Sequence, residues 1–307
     1  MLIDIRDAFF EQLYKKIKKD KKIILLSVDQ GALTINKIIR DFPNNYINIG
    51  ISEQNAFNIA TGLAKRNYKP YVYLISPFTL RAAEQIKIGL CSMKPKVSIV
   101  ASGPGFTYAS DGPTHYFNED YGVLKNFPNL NFFCTSDPHS AKRAFLKSYQ
   151  SKNPSFIRLE KGKHKTLKKY SNSSLNYISS SNNVLVISNG YTSILAKKIL
   201  DTATQKHKFA LLDITQFIPL EKKTISKIIL KYKKIIFLDE SPFISSINKD
   251  IHYICLNNQK LKNLKFFFYN TDFKFWKVSG NRDYLLKLNS LDEINLKKNI
   301  INIIKYK

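Results

Sequence analysis

Two segments of the sequence carry residues whose types and spacing could do chemistry. In GISEQNAFNIATGLA (residues 50–64), Glu53 stands in the first turn of a predicted helix that is otherwise apolar on its inner face. In GPGFTYASDGPTHYFNED (103–120), a long Gly- and Pro-containing loop places Asp111 and His115 on one turn. Loops of this length inside a compact domain are often functional. Carboxylate and imidazole groups are the side chains that most often transfer protons in catalysis.

Each of these residues also has an explanation without catalysis. Glu53 could stand at a helix start because the positive end of the helix dipole favours a carboxylate there. The pair Asp111-Gly112 is a plain turn signal, and a histidine in a loop is often a hydrogen-bonded surface residue. The residues alone leave these alternatives open.

The elements that must position the two segments alternate between strand and helix, which is typical of a parallel α/β sheet. Ile5, Phe9, Leu13 and Ile17 recur at i, i+4 spacing and predict a helix with one buried stripe. Strands are predicted at 23–28, 70–75, 97–102, 131–136, 155–160, 184–188, 209–214 and 235–239, and further helices at about 53–65, 79–91, 138–150, 192–200 and 221–231.

A change of composition predicts two domains. Residues 161–183 are rich in Lys, Ser and Asn, which is typical of a linker, and the apolar pattern restarts at 184. At roughly 100–200 residues per domain, 307 residues also suggest two domains. We therefore predict an α/β fold with two domains, each a mostly parallel sheet flanked by helices: 1–165, a linker at 166–182, and 183–307.

The charge balance is the feature that most invites a nucleic-acid function. The chain has 49 Lys and Arg against 23 Asp and Glu, a net charge of +26. The lysines are spread along the whole chain, and RNA-recognition, helix-turn-helix and zinc-finger signatures are missing from the sequence. We therefore predict no nucleic-acid partner, and keep a non-catalytic basic nucleic-acid-binding protein as a remote alternative.

Cysteine usage and hydropathy predict an intracellular protein. The three cysteines are far apart and form no CxxC pair, which argues against a disulfide scaffold or a Cys-type zinc site. The start MLIDIRDAFF carries Asp4 and Asp7 and lacks the apolar stretch of a signal peptide. No run reaches the ~18–20 apolar residues of a spanning helix. The expectation is a cytoplasmic protein without a membrane partner.

Taken together, the two segments resemble the pyrimidine-binding domain of the transketolase family of thiamine-diphosphate enzymes, which 1-deoxyxylulose-5-phosphate synthase also contains. In that family a GIxEQ-type helix start carries a catalytic glutamate, and DGPTH carries a substrate-facing histidine. The segments VLVISNGYTSILAKKIL, LLDITQFIPL and IIFLDE resemble the C-terminal domain of the same family. The resemblance thus covers essentially the whole chain, and becomes diffuse after about residue 240.

The resemblance implies which residues contact the cofactor. Glu53 matches the glutamate that hydrogen-bonds N1′ of the aminopyrimidine and shares a proton with it. Phe78 matches the aromatic residue that stacks on the pyrimidine ring, although an ordinary core phenylalanine is the competing explanation. Ile75 stands where transketolases often have a second aromatic residue. Asp29 matches an aspartate near the cofactor at the subunit boundary, unless it only makes a turn after its strand.

The resemblance also implies which residues bind substrate. His115 matches the histidine that faces the hydroxyls of the donor sugar, where it binds or transfers a proton, and Asp111 matches the acid that orients a substrate hydroxyl. Arg6 and Arg158 match arginines that hold the sugar phosphate, because guanidinium suits bidentate phosphate recognition. Arg81 matches an arginine of the synthase branch and of short transketolases. An isolated arginine is also commonly a solvated charge.

The sequence departs from the family in two ways. Gly103 stands where transketolases commonly have a histidine, and Leu33 where they often have a serine, which puts the usual acceptor sugar in doubt. More importantly, the GDG motif that binds diphosphate and Mg²⁺ in this family is missing from the sequence. The resemblance therefore implies the C-terminal half of a split transketolase, itself without metal ligands.

The predicted function is the transfer of a two-carbon ketol unit from a ketose or ketose phosphate to an aldose. A partner N-terminal subunit with the GDG motif would hold most of the thiamine diphosphate and the Mg²⁺ or Ca²⁺ ion, in an α2β2 heterotetramer. The alternatives within the fold are a subunit like 1-deoxyxylulose-5-phosphate synthase or like the E1 β subunit of a 2-oxoacid dehydrogenase. DGPTH argues against the second of these, because it belongs to the sugar-processing branch.

Overall fold

The computed structural model describes residues 2–167, 175–180 and 182–306, and the chain divides into two compact units. The first unit comprises 1–104 and 123–166, and the second comprises 105–122 and 167–307. The loop 105–122 therefore belongs to the second unit and not to the N-terminal region around it. Of the predicted linker 166–182, residues 168–174 and 181 lie outside the described residues, whereas Leu175–Ile178 form a strand.

The first unit contains a parallel sheet flanked by helices, as predicted. Six of its strands lie in the order β6-β7-β5-β4-β2-β3, and all neighbours pair parallel. A short strand at its start pairs antiparallel with one at its end. The strands are β1 Ile3–Asp4, β2 Ile23–Ser27, β3 Tyr46–Asn48, β4 Lys69–Ile75, β5 Ser98–Ser102, β6 Asn131–Cys134, β7 Ser155–Leu159 and β8 Lys163–His164.

The helices of the first unit cover this sheet. They are α1 Ile5–Ile17, α2 Leu33–Asp41, α3 Glu53–Lys65, α4 Ala83–Gln85 and α6 Pro138–Gln150, and α5 Asp120–Leu124 spans the boundary between the units. Helices α1, α3 and α6 have the bounds that the apolar spacing predicts. The helix predicted for about 79–91 is present, but only part of it is α-helical. The segment is a 3-10 helix (Ser76–Ala82), the single turn of α4 and a π-helical turn (Ile86–Ser92).

Aromatic side chains fill the core of the first unit between α1, α6 and the sheet. Phe9 on α1 is fully buried. Its ring lies edge-on to Phe10, Tyr71 and Phe145, with centroids 5.5, 6.3 and 5.6 Å away. The stripe predicted from Ile5, Phe9, Leu13 and Ile17 is thus confirmed, because all four residues are buried.

A half-buried ionic network joins Asp20, Lys69 and Tyr149 in the first unit. The Asp20 carboxylate accepts hydrogen bonds from Lys69 Nζ at 2.5 Å and from the Tyr149 hydroxyl at 2.7 Å. Burial by itself raises the pKa of Asp20, but the hydrogen bonds from Lys69 and Tyr149 outweigh it and hold the pKa below its usual value. The ionised carboxylate therefore stabilises the folded unit.

We expect Asp20→Asn to destabilise the protein by about 1.5 kcal/mol at pH 7, the net contribution of hydrogen bonds to a charged group. Because the folded pKa is depressed, this contribution is present above the unfolded pKa of about 3.9 and is lost as the pH falls through the folded value. Denaturation midpoints of the unaltered and the Asp20→Asn proteins are measured at pH 7 and pH 3, and we expect the difference between the two proteins to be smaller at pH 3. Asp201→Asn, at an exposed carboxylate, is the control, and an equal loss at both pH values would contradict the prediction.

The second unit has a five-stranded sheet in the order β14-β13-β10-β11-β9, in which only β9 runs antiparallel. The strands of this sheet are β9 Leu175–Ile178, β10 Val184–Ser188, β11 Ala210–Ile214, β13 Lys234–Pro242 and β14 Lys265–Thr271, and a further short strand, β12 Gln216–Ile218, lies outside it. The helices of the second unit are α7 Gly190–Thr202, α8 Lys222–Ile229, α9 Ile247–Leu256, α10 Arg282–Leu288 and α11 Glu293–Lys305. The predicted α/β class is therefore confirmed for both units.

Two further expectations from the sequence concern the cysteines and membrane-spanning helices. Cys91, Cys134 and Cys255, all of which the structure describes, are buried and form no disulfide bond. In the part of the chain that the structure describes, no helix combines the length and apolarity that crossing a bilayer requires.

Candidate functional site

Glu53 is a buried carboxylate at the first position of α3. The chain reaches it through Gly50, whose φ of +72° lies in the left-handed region, and Ser52 occupies the N-cap position without a side-chain capping bond. Residues at the start of a helix are commonly exposed, yet Glu53 is only 4% exposed. The orientation of a carboxylate with so little exposure to solvent is determined by its protein neighbours.

Arg81 joins Glu53 to Phe78. Its Nη1 lies 3.4 Å from Glu53 Oε1, and its guanidinium carbon lies 4.6 Å from the centroid of the Phe78 ring. Arg81 itself is 56% exposed at its side chain, and Phe78 is half-buried. A depression of about 430 Å³ opens beside the three side chains, lined by Ile51, Ser52, Glu53, Gln54 and Arg81. Its lining offers an acceptor, Glu53, and a cation, Arg81, and the Phe78 ring lies against Arg81 outside that lining.

The segment Ser76–Ala82 brings Phe78 and Arg81 to this place. It follows the central strand β4, which ends at Ile75, and it is wound as a 3-10 helix. Ile75 is half-buried at the strand end. Beyond it, Gly89 allows a close approach to α3, because a Cβ there would lie 3.0 Å from Thr61 Oγ1.

Asp29 lies at the end of a neighbouring strand and is tied to the start of α3 through one amide side chain. Its backbone is left-handed, with φ +50°, so it does make the turn that follows β2. The Asn48 side chain accepts from the N–H groups of Asp29, at 3.3 Å, and Gly50, at 3.0 Å, and donates to Asp29 Oδ1 at 3.4 Å. Sequence analysis missed Asn48, which nothing in its local pattern singles out.

Arg6 and Arg158 occupy different environments. Arg6, on α1, has its Nε 3.5 Å from Asp4 Oδ1. Arg158 is on β7, between β5 and β6, and is only 3% exposed. It is therefore no solvated surface charge. These two residues are not among those that line the depression at Glu53.

Asp111 and His115 lie together on the turn that the Gly-Pro pattern predicts, within the second unit. Two 3-10 turns, Ala109–Asp111 and Pro113–His115, flank Gly112, whose φ of +83° favours glycine. The His115 N–H donates to the Gly112 carbonyl at 3.0 Å, and His115 Nδ1 lies 3.0 Å from Thr114 Oγ1. Asp111 is exposed and His115 half-buried, so both side chains are accessible to a ligand.

A cavity of about 360 Å³ adjoins this turn inside the second unit. Four of its nine lining residues are aromatic, and Lys274 Nζ lies 4.2 Å from the Trp276 ring centroid. The lining consists of Pro113, Tyr116, Asn118, Glu119, Pro242, Phe273, Lys274, Phe275 and Trp276. The segment 103–120 that the sequence singles out contributes Pro113, Tyr116, Asn118 and Glu119 to the wall of this cavity, whereas sequence analysis missed the other five lining residues.

The structure thus groups the predicted residues into sets. Glu53, Phe78 and Arg81 are in contact in the first unit, and Asp111 and His115 share a turn in the second. Across residues 2–167, 175–180 and 182–306, no three or more His, Cys, Asp and Glu side chains converge as metal ligands would.

Comparison with known proteins adds a family and a fold. Residues 2–166 match the family described as "Transketolase, pyrimidine binding domain". A subunit of the apulose-4-phosphate transketolase of Phocaeicola vulgatus is 25% identical over 251 residues, covering 78% of this chain and 79% of that protein. The 6-deoxy-6-sulfo-D-fructose transketolase subunit SqwH of Clostridium sp. (strain MSTE9) is 27% identical over 157 residues, 50% of this chain and 49% of that one.

A third relative is much longer than the matched region. The 1-deoxy-D-xylulose-5-phosphate synthase of Lawsonia intracellularis is 30% identical over 157 residues, which is 51% of this chain but 24% of that enzyme. Among solved structures, "Split gene transketolase, inactive beta4 tetramer" superposes with a TM-score of 0.83 at 18% identity, covering 99% of this chain and 98% of that one. That similarity establishes a shared fold over the length of both chains.

Proposed function

Because the chain belongs to the family of the transketolase pyrimidine-binding domain, we propose that it is the C-terminal subunit of a split, thiamine-diphosphate-dependent transketolase. The complete enzyme moves a two-carbon ketol unit from a ketose or ketose phosphate to an aldose. A separate N-terminal subunit with a GDG motif supplies the diphosphate and metal site, with Mg²⁺ or Ca²⁺ as the ion. The assembly is an α2β2 heterotetramer in the cytoplasm.

The observation that carries this proposal is the contact group of Glu53, Arg81 and Phe78. A carboxylate that is 4% exposed can hold a proton shared with a ring nitrogen, and a half-buried phenylalanine offers a face for stacking. The depression is lined by the acceptor Glu53 and the cation Arg81, and the aromatic ring of Phe78 lies 4.6 Å from the Arg81 guanidinium carbon. These residues fit the aminopyrimidine end of thiamine diphosphate.

The cofactor supplies the reactive carbon that carries the two-carbon unit, and this chain's residues act around it. Glu53 holds and moves the proton at N1′, while Arg81 fixes the orientation of the Glu53 carboxylate through their 3.4 Å contact. Asp29 and Ile75 are the other two residues that we assign to contact with the cofactor. Asn48 sets the backbone of Asp29 and of Gly50, three residues before the carboxylate.

The substrate side is assigned to His115, Asp111, Arg6, Arg158 and Arg81. His115 binds or transfers a proton at the donor hydroxyls, and Asp111 orients one of them. The arginines bind a phosphate or another anionic group of the sugar. Gly103 and Leu33 replace residues that bind the usual acceptor, which favours an unusual sugar. The printed names of two relatives, an apulose-4-phosphate and a 6-deoxy-6-sulfo-D-fructose transketolase subunit, are in line with this.

An activity panel on the chain mixed with its GDG-bearing partner tests the reaction class. We expect ketol transfer from a ketose phosphate to an aldose, without carbon dioxide release. The second candidate is a synthase-like reaction, which the 30% identity to a 1-deoxy-D-xylulose-5-phosphate synthase favours. It would appear as decarboxylation of pyruvate coupled to an aldose phosphate. Turnover of a branched 2-oxoacid instead would indicate a dehydrogenase E1 β subunit and contradict both.

A further inference from the structure

The loop that carries Asp111 and His115 is built into the second unit. Phe106 is fully buried and Ala109 nearly so, and both belong to the apolar core formed with β10, β11, β13 and α7. The Phe106 ring lies edge-on to Tyr116 and Trp276, with centroids 5.2 and 5.8 Å away. The loop therefore packs as part of the second unit's core.

One carboxylate holds the beginning of this loop. Glu240, near the end of β13, is 4% exposed and accepts the backbone N–H of Phe106 at 3.2 Å. It also accepts from Arg282 at two positions, Nε at 2.9 Å and Nη2 at 2.5 Å. Arg282, the first residue of α10, stacks on the Tyr191 ring at 3.9 Å. A buried bidentate ion pair thus fixes the chain where the loop begins.

The same residue also holds the end of the loop. The Glu240 backbone carbonyl accepts from Asn118 Nδ2 at 2.6 Å. The two ends are also bonded directly to each other. Gly105 and Phe117 exchange backbone hydrogen bonds of 3.2 and 3.3 Å, which closes the base of the loop. Both ends of the segment that contains Asp111 and His115 therefore depend on the position of Glu240.

Gly105 shows how closely the loop approaches this carboxylate. Its φ is +59°, and a Cβ built on it would lie 2.4 Å from Glu240 Oε2 and 2.6 Å from Cδ. Only glycine leaves room for the Glu240 side chain at this place, and only glycine adopts the conformation without strain. The glycine at position 105 is thereby explained by contact with Glu240.

We propose that Glu240 and Arg282 are positioning residues for the loop 105–122. Their ion pair sets the orientation of Asp111 and His115, and with it the binding of the donor sugar; this second part rests on the proposed transketolase function. The second unit would thus contribute to substrate binding through the position of this loop. Neither residue is assigned a contact with cofactor or substrate.

Hydrogen exchange on the isolated chain tests the positioning without any assay of activity. Glu240→Gln keeps an acceptor but removes the ion pair, and Arg282→Lys keeps the charge but removes the bidentate geometry. We expect amide exchange in 105–122 to become at least tenfold faster in both variants, with α7 and α11 within twofold of the unaltered chain. Lys198→Ala, which breaks the ion pair between the exposed Lys198 and the half-buried Glu293 of the same unit, is the matched control.

Kinetics of the complex with its partner test the second part. We expect Glu240→Gln to lower kcat/KM for the ketose donor at least tenfold and to leave the Kd of thiamine diphosphate within twofold, with Arg282→Lys milder than Arg282→Ala. A general loosening of the fold would instead lower kcat/KM and raise the Kd of thiamine diphosphate together. Loop exchange that stays unchanged, or that rises equally throughout the second unit, would overturn the proposal. Loop-specific exchange in a complex that performs no ketol transfer would support the positioning and reject the proposed function.

Discussion

Glu53→Gln is expected to lower ketol-transfer turnover of the assembled enzyme at least a hundredfold. Proton transfer by a positioned side chain contributes about 10²- to 10⁴-fold to catalysis. Glutamine keeps a hydrogen bond at the same place, but it cannot exchange a proton. Because Glu53 is buried and in contact with Arg81, solvent has little access to replace the lost group.

The measurement is kcat with saturating cofactor, so that weaker binding is separated from slower chemistry. Glu84→Gln is the matched control, because Glu84 is an exposed carboxylate on α4, in the segment next to Arg81, and its change should leave turnover within twofold. A loss smaller than tenfold in Glu53→Gln would refute the assignment of Glu53 as the proton-holding residue.

Phe9→Ala is expected to destabilise the chain by about 3–5 kcal/mol, the usual cost of removing a fully buried phenylalanine side chain. The ring has aromatic neighbours on three sides, Phe10, Tyr71 and Phe145. These belong to α1, β4 and α6, so the cavity would open where helices and sheet meet and could not close by a single side-chain movement.

Urea unfolding followed by far-UV circular dichroism measures this effect. Phe275→Ala makes the same truncation at a side chain that is 75% exposed, and we expect it to change the midpoint little. A Phe9→Ala variant within 1 kcal/mol of the unaltered chain would contradict the packing described for the first unit.

The local parts of the site followed from the sequence. The apolar spacing after Glu53 predicted α3 with its observed bounds, because a buried stripe at helical spacing is a local pattern. The turn around Gly112 followed from Asp-Gly-Pro for the same reason. The roles of Glu53 and His115 came from the resemblance of these segments to a family, and they stay predictions.

Contacts between distant segments could not be predicted. Arg81 reaches Glu53 across 28 residues, from a segment for which the pattern predicted a helix but not its 3-10 winding. Glu240 reaches Phe106 across 134 residues, and an ion pair between remote segments leaves no periodic trace in the sequence. Arg158 could only be matched to a family arginine, and its burial follows from the position of β7 between β5 and β6.

The most direct test of the account is the dependence of turnover on the partner. Ketol transfer and thiamine-diphosphate binding would be measured for this chain alone, for the GDG-bearing chain alone, and for mixtures at increasing ratio. We predict no turnover and negligible cofactor binding by this chain alone, and activity in the mixture that saturates at a one-to-one ratio. Turnover by the purified chain alone, or a mixture that forms a complex and performs no ketol transfer, would contradict the account.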